Sequence, residues 1–186
     1  MTFEETKCKG VFIITPEVIG DARGFLMEVY HSDKFATHGI PTDFQQCHHS
    51  RSAEGVLRGL HFQYDPPAHK LIRALKGKIF AAAADIRIGS PTFGQWVGVE
   101  LSEENKKMLY VPAGFASGFC VIEEGSEAEY HWSAVYTPGG ESNIVWNDPT
   151  LNISWPVKDP ILSPRDAGAN TLELWLSRPE SKLFTY

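Results

Sequence analysis

Apolar and polar positions alternate along this chain over short stretches, and each stretch is cut off by a glycine- or proline-rich turn. The alternation predicts strands over residues 10–15, 24–30, 56–63, 70–75, 78–88, 95–101, 107–111, 118–122, 127–136 and 153–155. Gly20-Asp21-Ala22-Arg23-Gly24, Asp65-Pro66-Pro67, Gly89-Ser90-Pro91, Pro138-Gly139-Gly140 and Asn147-Asp148-Pro149 supply the turns. Helical periodicity is confined to residues 32–38, 102–106 and 170–176. Many short strands with few helices predict an all-β sandwich or barrel. The run Ala81-Ala82-Ala83-Ala84 has helix-forming composition but too little length between its flanking signals. It reads as a strand whose small side chains leave room inside a barrel.

The 186 residues, 42% hydrophobic and 22% charged, suit one globular domain over residues 1–186. A net charge of −6 argues against nucleic acid or an anionic membrane as the main partner. It leaves room for a phosphorylated small molecule, because a few clustered arginines hold a diphosphate even in an acidic protein. No apolar run has the length of a membrane span, and the opening MTFEETKCKG is too charged for a secretory signal. Cys8, Cys47 and Cys120 have neither metal-ligand spacing nor an even count for a disulfide framework. A reducing, cytoplasmic setting is expected.

Candidate chemistry is densest in Val56-Leu57-Arg58-Gly59-Leu60-His61-Phe62-Gln63. Strand alternation places Leu57, Gly59, His61 and Gln63 on one face, and Arg58, Leu60 and Phe62 on the other. Glycine beside an imidazole suits an open site, although the spacing alone favours a hydrogen-bonded structural histidine. Lys70, at the mouth of the next apolar strand, is placed either to stabilise an oxyanion or simply to be solvated. Asp166, after Ser163-Pro164-Arg165, is either turn chemistry or a carboxylate that orients an imidazole. The aromatic strand 127–136 offers two phenols, Tyr130 among them. Metal chemistry of the double-sheet barrel type needs imidazoles where this chain has Gln63 and Ser117, so no metal and no cofactor are expected. Adjacent His48 and His49 on one strand face opposite ways.

Across residues 10–166 the chain resembles the dTDP-4-dehydrorhamnose 3,5-epimerase family. The resemblance runs through Asp21-Ala22-Arg23-Gly24-Phe25 with Glu28, Gly55-Val56-Leu57-Arg58-Gly59-Leu60-His61-Phe62-Gln63 and Lys70-Leu71-Ile72-Arg73. It continues through Asp85-Ile86-Arg87, Ser90-Pro91-Thr92-Phe93-Gly94, Pro112-Ala113-Gly114-Phe115-Ala116, Trp146-Asn147-Asp148-Pro149, and Leu162-Ser163 with Asp166. It implies a jelly-roll (cupin) double-sheet barrel with a few short helices. It also implies a homodimer whose N-terminal strands can cross to the partner, and a nucleotide-sugar substrate, dTDP-linked. The same resemblance implies His61 as proton acceptor with Asp166 as its partner, Tyr130 as proton donor, and Lys70 at the sugar's ketone oxygen. Arg23, Glu28, Gln46, His48, Arg58, Gln63, Ser117, Glu141 and Arg165 fall on or beside positions that meet the nucleotide or sugar. The chain departs from the family pattern at Cys47 and His48, where Asp-Asn is common, at Ser117 in place of histidine, and at Arg165 in place of lysine. A base on one face, a donor at the ketone and an acid on the other face together invert a carbon next to a carbonyl. The expected reaction is therefore epimerisation of a nucleotide-linked 4-keto-6-deoxyhexose at C3, C5 or both. A metal-dependent oxygenase and a non-catalytic sugar-binding barrel are the competing classes.

Overall fold

Short strands of alternating polarity cannot bury their apolar faces alone, so they pair and the paired sheets stack. The computed structural model describes residues 1–186. It forms β1 (Thr2–Glu5), β2 (Phe12–Thr15), β3 (Val18–Asp21), β4 (Gly24–Met27), α1 (Ser32–Thr37), β5 (Gln46–Ser52) and β6 (Leu57–Gln63). There follow β7 (Lys70–Lys76), β8 (Lys78–Asp85), β9 (Trp96–Ser102), β10 (Met108–Val111), β11 (Phe115–Val121), β12 (Ser126–Trp132) and β13 (Glu141–Asn143). The chain closes with α2 (Pro164–Ala167), α3 (Leu172–Leu176) and a 3₁₀ turn (Pro179–Leu183). One sheet has the order β1-β2-β10-β7-β12-β5, the other β13-β6-β11-β8-β9, and β3-β4 forms a separate hairpin. The named strand pairings are all antiparallel.

Residues 102–106 are a turn rather than the expected helix. Ser102 and Asn105 exchange backbone-to-side-chain bonds of 3.0 Å, so local polar pairing replaces a helical ladder. Residues 153–155 form no strand, and the predicted strand 127–136 stops at Trp132.

Leu101, Leu109, Val111, Phe119, Val121 and Ala128 pack between the two main sheets. A second cluster, with Phe62, Ile86, Leu172, Trp175 and Phe184, seats the C-terminal segment on the outer face of the five-stranded sheet. A third places Phe35 of α1 and Ile40 over Ile14, Leu71, Met108 and Tyr110. The four alanines do form a strand, within β8. Ala81 and Ala83 belong to the inter-sheet core, whereas Ala82 and Ala84 lie under the C-terminal layer. Both faces of β8 are covered, so its sequence is a continuous apolar run rather than an alternation.

The predicted division of β6 into two faces is broken by a bulge. Ser117 pairs with His61 and Phe119 with Arg58, so two steps along β11 are matched by three along β6. An extra residue reverses the parity of a strand, and Arg58 therefore turns to the same side as His61. The close approach that makes this possible needs glycine: a Cβ on Gly59, whose φ is +139°, would stand 2.6 Å from Gly118 Cα.

Candidate active site

Between the two sheets lies a cavity of about 310 Å³, into which His61, Lys70, Tyr130 and Asp166 all project. His48, Arg58, Ser117, Glu141 and Arg165 line it as well. Nine of the residues singled out from the sequence thus meet in one place. His61 stands on β6 and Tyr130 on β12, in sheets that face each other, so imidazole and phenol occupy opposite walls.

Asp166 reaches His61 because the chain turns sharply at α2. Ser163 caps that turn, its hydroxyl accepting from the Asp166 amide at 3.1 Å. The Asp166 carboxylate, 3% exposed, then meets His61 Nε2 at 2.5 Å. Burial works against its ionised form. The bond and charge of His61, the Ser163 hydroxyl and Arg165 outweigh burial and hold the carboxyl below its ordinary range. An ionised carboxylate only accepts, so Nε2 carries the proton and Nδ1 keeps the lone pair of a base.

Lys70 enters from β7 and is buried. Its Nζ donates to the His61 carbonyl at 2.8 Å and to Ser117 Oγ at 3.2 Å, and lies 4.6 Å from the centre of the Trp132 ring. Burial pulls its pKa down to about 7, with Glu141 opposing and Arg165 reinforcing the shift. The ammonium is the form that donates to a developing oxyanion, and it is lost as pH rises through that value. The kcat/KM profile should therefore fall on the alkaline side of about pH 7. Substituting Lys70→Met should lower the rate and remove that limb; a limb that persists unchanged in the variant would assign it to another group.

Burial raises the Tyr130 pKa, with the Arg58 charge opposing, and this keeps the hydroxyl a phenol. At the cavity mouth Glu141 accepts from the Tyr136 hydroxyl at 2.6 Å and from Arg165 at 2.7 Å. Arg58 donates through Nε and Nη2 to Ser52 Oγ at 3.1 and 3.0 Å.

Four expected substrate contacts lie elsewhere. Gln63 is fully buried; its amide donates to Pro66 and Val135 carbonyls and accepts from the Thr137 amide, which fixes the loop after β12. Its hydrogen bonds are spent on backbone, so it is a structural residue. Gln46 stands behind His48, contacting it at 2.9 Å. Arg23 and Glu28 ride on or just after the β3-β4 hairpin, paired with Asp21 and Lys34 respectively, away from this cavity.

Three features were not singled out from the sequence. Tyr136 shares the cavity with Tyr130, six residues away and of the same parity, although the strand itself stops at Trp132. Trp132 forms part of the wall beside Lys70. On the outer face of the same sheet Cys47, Glu129 and His131 bring ligand-type atoms within 4.8 Å of one another. There Arg73 holds Glu129 in an ion pair of 2.9 Å. His49, as expected, faces outward opposite to His48 and pairs with Glu127.

The sequence pattern of the dTDP-4-dehydrorhamnose 3,5-epimerase family matches residues 5–173. The chain belongs to this family. This epimerase, an isomerase by reaction class, is 51% identical over 158 residues to the dTDP-4-dehydrorhamnose 3,5-epimerase of Pseudomonas aeruginosa, covering 84% of this chain and 87% of that protein. Its fold matches the crystal structure of dTDP-6-deoxy-D-glucose-3,5-epimerase from Legionella pneumophila, in complex with dTDP-4-keto-L-rhamnose. The TM-score is 0.91 at 41% identity, over 99% of this chain and 97% of that one. A 3′-monoepimerase from Streptomyces bikiniensis, in complex with dTDP-quinovose, matches with a TM-score of 0.85 at 31% identity, over 91% and 87%. The epimerase accordingly has the jelly-roll architecture of these enzymes. None of its helices is long and apolar enough to cross a membrane.

Proposed function

We propose that the chain converts dTDP-4-dehydro-6-deoxy-D-glucose to dTDP-4-dehydro-L-rhamnose by inverting C3 and C5. The observation that carries this reading is the hydrogen-bonded His61–Asp166 pair facing Tyr130 across a cavity that also contains the buried Lys70. In this mechanism His61 Nδ1 removes the proton next to the C4 ketone. The electron pair moves onto the ketone oxygen, where the Lys70 ammonium donates to it. Tyr130 then delivers its proton to the same carbon from the opposite face. Arg58 and Arg165 at the cavity mouth suit the diphosphate, with Arg58 able to offer a planar pair of donors.

In this reading the enzyme works as a homodimer. The β3-β4 hairpin exposes Ile19, Phe25 and Leu26, each more than half open to solvent, and carries Arg23 away from its own cavity. Covered by a second copy, that arm would bring Arg23 and Glu28 to the partner's nucleotide.

The likeness to a 3′-monoepimerase supports one second reading, inversion at C3 alone. Incubation with the 4-keto-6-deoxyglucose nucleotide in heavy water separates the two: two labelled carbons in the inverted product support the double inversion, one supports the single. The same assay tests the assignment of the acid. In Tyr130→Phe the base still works, so deuterium should wash into the original sugar while inverted product falls by about 10²-fold or more. Inverted product at the wild-type rate would assign proton delivery to another group.

A further inference from the structure

Proton delivery to one face of a planar enolate demands a fixed phenol, because small misplacements of a reacting group are costly. The Tyr130 ring lies on a wall built by strands, and His48 is the residue directly opposite it across the β5–β12 pairing. The two rings stack, with centroids 5.1 Å apart and planes 17° from parallel. Trp132 lies beside the pair, its ring 5.9 Å from that of His48 and tilted by 57°.

The tautomer of His48 follows from its neighbours. The Tyr136 backbone N–H donates to Gln46 Oε1 at 2.6 Å, which fixes the amide's carbonyl end. Gln46 Nε2 is then an NH₂ group, able only to donate, and it meets His48 Nε2 at 2.9 Å. His48 Nε2 must therefore accept and carries no proton, so the imidazole is neutral with its proton on Nδ1. One chain of bonds ties the loop at Tyr136, the Gln46 amide and the His48 ring to the face of the phenol.

We propose that His48 is a positioning residue for Tyr130: its neutral ring, clamped by Gln46 and stacked on the phenol, holds Tyr130 in the orientation that delivers the proton. This rests on the epimerase reading above, and it assigns His48 to the acid rather than to the nucleotide.

The test is the ratio of solvent deuterium exchange into unreacted sugar to formation of inverted product, measured in heavy water with the 4-keto-6-deoxyglucose nucleotide. In His48→Ala, kcat for inverted product should fall by about 10-fold or more, with exchange near the wild-type rate and KM within about twofold. His48→Phe keeps a ring on the phenol without the clamp and should recover part of the loss. Gln46→Leu, which keeps the stack but removes the donor, should shift the ratio the same way by less. An unchanged ratio in His48→Ala overturns the proposal, whether KM rises (a substrate contact) or nothing changes (a wall residue). Wild-type protein that neither exchanges nor inverts would instead reject the epimerase reading, so the two failures are distinguishable.

Discussion

His61→Ala should abolish both solvent exchange and epimer formation, because the proton next to the ketone then has no acceptor. Loss of a general base costs about 10²–10⁴ in rate, and this variant should lie near the upper end. Neither carboxylate in the cavity is free to take its place. Asp166 is buried, and Glu141 is already engaged by Tyr136 and Arg165. Asp166→Asn should slow both readouts by less. The imidazole remains, but it loses the negative charge that stabilises its protonated form and the acceptor that selects its tautomer. Both rates are read from one incubation in heavy water, by mass for exchange and by chromatography for the epimer. Undiminished exchange in His61→Ala would refute the assignment of the base.

Trp175→Ala should cause the largest loss of stability accessible by a single truncation far from the cavity. Trp175 is fully buried against Phe62 (centroids 4.7 Å apart), Tyr64 (5.4 Å) and Phe184 (6.3 Å). Truncating a buried Trp costs about 3–5 kcal/mol through lost burial and the void left behind. The indole N–H has no partner, so the truncation also removes an unsatisfied polar atom, and the lower end, about 3 kcal/mol, is expected. For a chain of this size that lowers the melting temperature by about 6–12 °C. Trp175→Phe should lose less, since most of the apolar volume stays. A shift below about 2 °C in a circular-dichroism melt of Trp175→Ala would mean that the C-terminal layer contributes little to the fold.

Residue patterning was informative where one physical rule governed a segment. Apolar content and turn residues sufficed to locate β6 to β10, because each of those strands has a Gly or Pro close to at least one end and is half or wholly buried, but alternation was needed to divide their faces. The rule failed at β6 itself, where a bulge enforced by contact between Gly59 and Gly118 sends Arg58 to the His61 side. Alternation cannot register an extra residue that only the partner strand reveals. The length of the strand was not legible beyond Trp132: Tyr136 was expected along a strand and lies in the loop that follows, beside Glu141. Gln63 had the right position but the wrong surroundings: its amide is consumed by three backbone groups that no spacing argument could have placed beside it. His61 and Asp166 are 105 residues apart: the residues alone left Asp166 as either turn chemistry or a partner for an imidazole, and only the resemblance assigned it to His61. The stack of His48 on Tyr130 depends on cross-strand register, which one sequence does not contain.

The His61–Asp166 pair joins two parts of the molecule that are held by different means. His61 belongs to a strand paired on both sides, whereas Asp166 sits in one turn of helix after a long stretch without regular strand. Apart from the Asp166–His61 bond itself, that turn is tethered by the Ser163 cap, a bond from Asn143 to the Arg165 carbonyl, the Arg165–Glu141 ion pair, and a short bridge between Val56 and Ile161. Polar bonds rather than packed apolar side chains make up these tethers, and segments held in that way are the ones that open locally before a protein unfolds globally. Any local opening there would detach the carboxylate while leaving the barrel closed, so activity would be lost before the sheets melt.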